Sequence, residues 1–556
     1  MRLRVGDKYD PVTLGIHWNK LISITDEVFY TLIRTSFSEI VRDCWDLSCA
    51  ILDPDGRGVA QSSFSIPSFI GTQPYTVKQF LKKLPRETLE PGDVLATNNP
   101  WIGSGHLHDI TMAKPVFCNG ELTAFLATTT HLPDIGGSGL YASGRRIYEE
   151  GLLLPICKIV KGGELNHDLF DVFENNVRVP KQVLGDIKAG IAANNFGESL
   201  MLDFIGKKRV DFSHLADFII ERSERTMRRA IEQIPRGIYK SEVEVGGGGD
   251  EIYSLRCRVE VKDSDIIVDY GGTDKQNDYA LNSPLIYTYA FSVYPIKCIT
   301  TPELVNNEGC TVPIEVKAPE GCLLNPNPPA AVSARSLVGW FITSLVFRAL
   351  SEVIPERVRA DSGMVGMQQY SGLNLKDRPY VCIHFSAGGR GAGSGRDGNS
   401  TTAFPTNMFG PSTEIFEIET GMLVEWKEFI EDSGGPGKHR GGLGQSLSIR
   451  NISPHRAEVT FLCNRTLSPP MGLMGGQPSS TRKVYINDVP AHPKERYRLK
   501  EGDRVRLENP GGGGFGRPSE RELDHILKDI RNGYVSVEVA KTKYSAKFES
   551  NLPLQN

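Results

Sequence analysis

The chain lacks most of the features that would name its chemistry at once. Its ten cysteines form no CxxC pair, and in 556 residues they do not amount to a disulfide framework. Cys44 and Cys49, close together beside Trp45 and Ala50, read as small buried hydrophobes, and a reducing cytoplasm is the simplest compartment. No apolar run approaches the roughly 18 to 20 residues that span a bilayer. The start, Met1 to Lys8, lacks the apolar core of an export signal. There is no excess of positive charge: 63 Lys and Arg against 67 Asp and Glu give a net charge of -4, which argues against nucleic acid as the main partner. No GxxxxGK[ST] phosphate loop occurs. Histidine is scarce as well, with eleven in all.

Three of those histidines fall in one window. Asn98-Asn99-Pro100-Trp101-Ile102-Gly103-Ser104-Gly105-His106-Leu107-His108-Asp109 is followed by His131-Leu132-Pro133-Asp134. Imidazoles among carboxylates and glycines are how a loop-built metal site looks in sequence. Neutral nitrogen with hard oxygen suits Zn²⁺, Mn²⁺ or Fe²⁺. His106 and His108 would share a face if this segment were a strand; a turn would instead pair His106 with Asp109, and Gly103-Ser104-Gly105 favours irregular backbone. From the residues alone both pairings stand.

Glycine is abundant, at 57 residues, and clustered at 246–249, 387–398, 434–444 and 511–516. Such runs mark ordered loops or domain edges. The stretch Gly434-Gly435-Pro436-Gly437-Lys438-His439-Arg440 has a basic triplet that could hold an anion, but it reads first as a demanding turn. Nothing helical follows 387–398, so it is a poor dinucleotide fingerprint. A self-contained nucleotide site is therefore not expected.

Length predicts several regions, and the pattern of elements predicts an α+β (mixed α/β) multidomain protein. Helical spacing runs from Thr13 to Val41 as one long or two abutting helices. Strands are expected at Leu47–Leu52 and Gly58–Gln61 around the turn Asp53-Pro54-Asp55-Gly56. A helix opens at Pro74, and strands at Asp93–Thr97, Ile110–Phe117 and Leu122–Thr130 bracket the histidine window. Helices are expected over Pro180–Ile205, where Ala189, Ala192 and Ala193 permit close packing, and over Leu215–Ile234 and Ser336–Ile354. These define an N-terminal metal-binding region, 1–237, and a central region, 238–375. A β-rich C-terminal region with a short helical tail, 376–556, comes last.

Ordered motifs along nearly the whole chain carry a resemblance. They include Asp10-Pro11-Val12-Thr13-Leu14, Arg34-Thr35-Ser36-Phe37-Ser38, Asp46-Leu47-Ser48-Cys49-Ala50, the histidine window and Ile147-Tyr148-Glu149-Glu150-Gly151. Leu184 to Asn194, Asn306-Asn307-Glu308-Gly309, Pro328 to Arg335, Asp432 to Gly437, Gly511 to Gly516 and Gly533 to Ser536 extend it. Together they resemble the hydantoinase B/oxoprolinase family. The resemblance implies one subunit of a complex, such as an (αβ)2 hetero-oligomer, paired with a hydantoinase A-type subunit that binds ATP and Mg²⁺. It implies ATP-dependent opening of cyclic amides such as hydantoins, oxoproline and lactams, or ATP-dependent carboxylation of ketones. A scaffold that merely supports the ATP-binding partner is the non-catalytic alternative.

Carried over by resemblance, the catalytic and metal residues are Asp46, His106, Asp109 and His131, holding Zn or Mn. His108, Asn99 and Trp45 become substrate-facing candidates. Three positions depart from the family's usual residues: Asn99 stands for a common Asp, Leu47 for an aromatic, and Leu132 for a second histidine. They adjoin the metal positions and leave the substrate open.

Overall fold

The computed structural model of the chain describes residues 9–208 and 210–546; the opening segment, considered for an export signal, lies outside them. The expected helical stretch near the start is two helices, Pro11–Thr35 and Glu39–Arg42, separated where Ser36 turns extended. Asp10 caps the first, its carboxylate accepting from the N–H groups of Val12 and Thr13.

One seven-stranded antiparallel sheet organises the first 165 residues. Its strands are β1 (Leu47–Leu52), β2 (Gly58–Gln61), β3 (Val94–Thr97), β4 (Asp109–Cys118), β5 (Glu121–His131), β6 (Cys157–Lys161) and β7 (Glu164–Leu165), in the order β2-β1-β5-β4-β3-β6-β7. β1, β4 and β5 are central, and almost every residue in them is buried on both faces. Their sequences accordingly read as continuous apolar and threonine runs rather than alternations. Register fixes which strand ends meet: Asp109 pairs with His131 across β4 and β5, and Leu47 pairs with Thr130 across β1 and β5. The start of β4, the end of β5 and the residue before β1 therefore come together at one end of the sheet.

The helix Pro180–Lys208 covers β4 and β5. Ala189 and Ala193 are buried, but Ala192 is exposed and takes no part in the close packing. The closest approaches are at glycines: a Cβ at Gly190 would stand 2.2 Å from Met112 Cε, and one at Gly197 2.6 Å from Val28 Cγ2. Pro74 lies two residues inside its helix, Thr72–Lys83, which starts from a left-handed Gly71. The apolar stretch after Ser336 is broken, as Ser336–Gly339 and Phe341–Leu350. A buried helix, Leu285–Thr300, is apolar on all sides and so offers no amphipathic period to the sequence reader.

The rest is mostly sheet. Gly237–Gly246, Ile252–Val261, Ile266–Asp269 and Ile314–Lys317 form a four-stranded sheet, and residues 365–508 supply two more, of four and five strands. The fold is mixed α/β with several layers. No helix among the described residues is long and apolar enough to cross a membrane.

Three of the glycine clusters converge. Segments 388–398, 434–444 and 510–516 run side by side as extended chain without forming ladders, and bond laterally. Gly442 N donates to Arg390 O (2.9 Å), Gly512 N to Gly442 O (2.9 Å), Gly435 N to Gly512 O (2.8 Å) and Ala392 N to Gly513 O (3.0 Å). A Cβ at Gly441 would lie 1.9 Å from Gly512 O, and one at Gly442 1.9 Å from Asn399 O. Backbone meets backbone there, so nothing larger than hydrogen fits. The cluster at 246–249 is separate and merely turns one hairpin.

Gly441→Ala is therefore expected to lower stability by about 3 kcal/mol, the upper range for overpacking. Gly15→Ala, in a helix with nothing within 4 Å of the added methyl, should raise it by ~0.5–1 kcal/mol. Urea unfolding midpoints check both; equal effects at the two positions would contradict the packing described.

Candidate metal centre

The histidine window is a loop, as Gly103-Ser104-Gly105 suggested, and it is tied down at both ends. Asn98 is its anchor: its amide donates to Leu107 O (2.8 Å) and Leu152 O (2.9 Å), and its oxygen accepts from Leu154 N (2.6 Å). Asn99 folds the next turn by accepting from Trp101 N (3.0 Å). Gly105 adopts φ +104°, and a Cβ there would meet Arg335 Cδ at 2.7 Å. Only glycine serves at that point. The loop ends as β4 begins, delivering Asp109 beside His131.

Four side chains from three places in the sequence come together. His106 Nε2 lies 2.9 Å from Asp109 Oδ1, off the line of a good hydrogen bond. His131 Nδ1 lies 3.1 Å from the same oxygen and 3.7 Å from Asp46 Oδ2. One potential ligand atom from each of His106, Asp109 and His131 falls within 4.8 Å of the others. All four residues are buried.

Asp46 reaches the cluster through a strained turn. Trp45, just before it, has φ +57°, a region a bulky side chain rarely adopts and one that costs of order 1–3 kcal/mol. The Trp45 ring is held among Phe409 (4.9 Å), Phe29 (5.7 Å) and Phe64 (5.9 Å). The main chain is fixed on the far side by His131 N donating to Asp46 O (3.1 Å). Of the substrate-facing candidates, His108 alone joins the cluster. Its ring stacks on that of His131 at 5.2 Å. The contacts of Asn99 and Trp45 are the turn and the aromatic group just described. Leu47 and Leu132, next in sequence to Asp46 and His131, are fully buried in two different core clusters.

The second oxygen of Asp109 belongs to a residue that no metal-ligand pattern reveals. Arg335 Nη2 donates to Asp109 Oδ2 (2.8 Å), Ser104 Oγ donates to the same oxygen (2.5 Å), and Arg335 Nε donates to Ser104 O (3.1 Å). The guanidinium also sits 4.0 Å over the ring of Tyr287. Arg335 was visible only as the last residue of the Pro328–Arg335 motif. Glu150 sets its loop, accepting from Val332 N (2.5 Å) and Ser333 N (2.7 Å). Ser333 O stands 3.4 Å from His106 Nδ1.

Electrostatics prepare the cluster for a cation. Burial, and then Arg335, push His106 down to about 3, and burial holds His108 far below its ordinary value. Both imidazoles are neutral at physiological pH. Burial of itself would raise Asp109, but His106 and the permanently charged Arg335 hold it well below the usual carboxylate range. Burial raises Asp46 to about 6 against the opposing pull of His131. Neutral imidazole and ionised carboxylate are the states that ligate. His131 Nε2 and both nitrogens of His108 are buried without a hydrogen-bond partner, a cost that a ligand would remove. The residues fit a Zn²⁺- or Mn²⁺-type ion with nitrogen and oxygen ligands.

Two other candidates resolve differently. Cys44 and Cys49 are buried, and burial lifts both thiols well above their ordinary value; they are packing residues, unsuited to nucleophilic work. The apolar cavity of about 580 Å³ has Trp101 and Ile102 of the histidine loop in its wall, with Gln73, Tyr289 and Glu308, but none of the four clustered residues.

A mixed α/β, multi-sheet protein with a buried histidine–carboxylate cluster at one sheet end is thus the class defined by fold and site. The model of the hydantoinase B/oxoprolinase family matches residues 10–518, and the chain belongs to that family. It is 28% identical to the caprolactamase subunit beta of Pseudomonas jessenii over 98% of this chain and 97% of that one. The crystal structure of the ATP-dependent caprolactamase from P. jessenii superposes with a TM-score of 0.90 at 25% identity, covering 99% of this chain and 98% of the other. A nucleotide-free acetone carboxylase structure shares the fold, with a TM-score of 0.90 at 19% identity over 98% of this chain and 80% of that one.

Glu150 gives this architecture a pH signature. Burial raises its carboxyl from 4.5 to about 8, so the folded state keeps a proton that the unfolded chain releases. Stability from this group is complete below pH 4.5 and is lost as pH rises toward 8. Between pH 5 and pH 8.5 the wild-type urea midpoint should fall more than that of Glu150→Gln. Parallel pH profiles for the two proteins would contradict this.

Proposed function

We propose that this chain is the metal-holding B-type subunit of an ATP-dependent hydrolase of cyclic amides, the hydantoin, oxoproline and lactam class. The observation that carries the reading is the buried cluster of Asp46, His106, Asp109 and His131, with His106 neutral and Asp109 ionised. These four residues would hold one Zn²⁺ or Mn²⁺. A divalent ion held there supplies Lewis acidity toward a carbonyl oxygen or a water molecule.

The chain's own side chains do the rest. Asp109 keeps its charge because Arg335 and Ser104 occupy its second oxygen. Asp46, raised toward neutrality, accepts a proton at its carboxylate and returns it to the leaving nitrogen. His108 offers the amide ring a neutral imidazole with neither nitrogen engaged.

An unstrained amide gains little from Lewis acidity alone, which makes coupling to ATP chemically sensible. This sequence has no phosphate loop, so ATP and Mg²⁺ belong to a hydantoinase A-type partner in a hetero-oligomer such as (αβ)2, a cytoplasmic assembly. The relative named caprolactamase subunit beta supports such a division of labour. The boundaries 1–237, 238–375 and 376–556 are proposed as its three regions. The fold shared with acetone carboxylase favours one second reading. In it an ion held by Asp46, His106, Asp109 and His131 would supply the positive charge that favours the enolate form of a ketone to be carboxylated.

The purified wild-type chain should carry about one transition-metal ion, the stoichiometry of a single four-ligand site. His106→Ala and His131→Ala should each lose it together with activity. Elemental analysis showing full metal in either variant would remove the ligand assignment, and no metal in the wild type would leave a scaffold. Reconstituted with its partner, the chain should couple ATP hydrolysis to opening of hydantoins or lactams. ATP turnover that needs ketone and bicarbonate would establish the carboxylase instead.

A further inference from the structure

Among the described residues, three arginines away from the metal centre, Arg359, Arg390 and Arg396, have no acidic partner. Arg359 follows the broken helix ending at Leu350, whereas Arg390 and Arg396 belong to the glycine segment 388–398. A bridge pairs Arg359 with Gly393, and a second pairs Gly393 with Arg396. Arg359 and Arg396 are therefore brought to one glycine, and Arg390, three residues before it, is near enough for its charge to act on Arg359. A Cβ at Gly393 would stand 3.5 Å from Arg359 Nη1, so a side chain there would lie against that guanidinium.

Arg359 and Arg390 are half-buried and Arg396 is exposed. Nη2 of Arg359 and Nε of Arg390 are buried atoms without a hydrogen-bond partner. The contact Arg359 Nη1 does make, to Gly391 O at 3.5 Å, is at the limit for a hydrogen bond. The carboxylate next in sequence, Asp397, is already taken: Arg521 grips both of its oxygens (2.8 and 2.7 Å), and Arg440 N donates to it (2.7 Å).

The groups that face the arginines from the helix Leu285–Thr300 bring no charge. They are Tyr294 and Cys298; burial raises the Tyr294 phenol and lifts the Cys298 thiol to about 11. Burial, then Arg390 and Arg396, lower Arg359 to about 10, and burial with Arg396 lowers Arg390. Arg359 and Arg390 both stay protonated at neutral pH. Desolvated guanidinium groups that repel one another and meet no anion are a standing cost in the folded chain.

Two of the neighbouring basic triplet are spent on structure. Arg440 Nε reaches Asp529 at 3.3 Å, and His439 Nε2 accepts from Gly395 N (3.1 Å). His439 and Arg440 thus fix the backbone at the turn its glycines suggested, and Lys438 is exposed to solvent. A planar carboxylate satisfies one guanidinium fork, whereas a tetrahedral dianion presents oxygens to several forks at once. A seat walled by glycine also admits a compact group against the main chain.

We propose that Arg359, Arg390 and Arg396 form a binding site for a phosphate group, either free inorganic phosphate or the phosphoryl end of a larger molecule. The site is independent of the metal reading, and its test leaves the metal residues untouched. Binding of inorganic phosphate, and separately of ATP and ADP, is measured by titration calorimetry on the full chain at constant ionic strength. The wild type should bind saturably, and Arg359→Gln/Arg390→Gln at least ten-fold more weakly. Arg396→Gln alters an exposed side chain; it should keep the anion-free melting temperature and still weaken binding several-fold. Equal affinity for phosphate and the nucleotides identifies the free ion as the ligand, and tighter nucleotide binding identifies a phosphoryl terminus. Absence of saturable binding by the wild type, or undiminished binding in both variants, overturns the proposal.

Discussion

The buried pair of Arg335 and Asp109 is the constraint on which the centre depends. Arg335 gives Asp109 a permanent counter-charge in a place where burial would otherwise protonate it. It also ties the histidine loop to a segment more than two hundred residues further along the chain, through Ser104 and the ring of Tyr287. A buried pair of this kind is weak support for stability, because desolvation offsets most of the attraction, yet removal of one partner typically costs about 3–5 kcal/mol. Its value here lies in geometry and ionisation. One carboxylate oxygen is occupied by donors, so the other is aimed at His106 and His131.

The remaining architecture makes that pair possible. Register in the seven-stranded sheet sets Asp109 opposite His131, and the backbone bond from His131 to Asp46 brings the fourth residue alongside. Trp45 accepts an unfavourable backbone conformation, and the ring packing around it holds the turn. The glycine segments perform a different task. They let three segments lie within hydrogen-bond reach without side chains between them, and Arg359, Arg390 and Arg396, beside or on one of those segments, have no acidic partner among the described residues.

Much of this was legible in the sequence. Strands β1, β2, β3 and β5 fall within a residue or two of their expected bounds, because short apolar runs between turn signals leave little choice. The histidine window announced a cluster, but the residues could not decide between His106–His108 and His106–Asp109. That choice depends on the positive φ of Gly105 and on where β4 begins, neither of which has a periodic signature. Asp46 came only through the family resemblance, since it lies far upstream and a lone buried aspartate carries no pattern. Arg335, Ser104 and Glu150 were hidden for a related reason: their roles exist only through contacts across the fold. The glycine runs were recognised as loops, but their convergence is a tertiary fact, and Leu285–Thr300 escaped because a helix buried all round shows no amphipathic period.

The central claim is that two imidazoles and two carboxylates of this chain enclose a single divalent ion. X-ray absorption at the metal edge of the purified complex tests it most directly. A first shell of nitrogen and oxygen at about 2.0–2.2 Å, with the outer-shell scattering of two imidazole rings, is the result predicted. A sulfur shell near 2.3 Å, or a spectrum without imidazole, would contradict it.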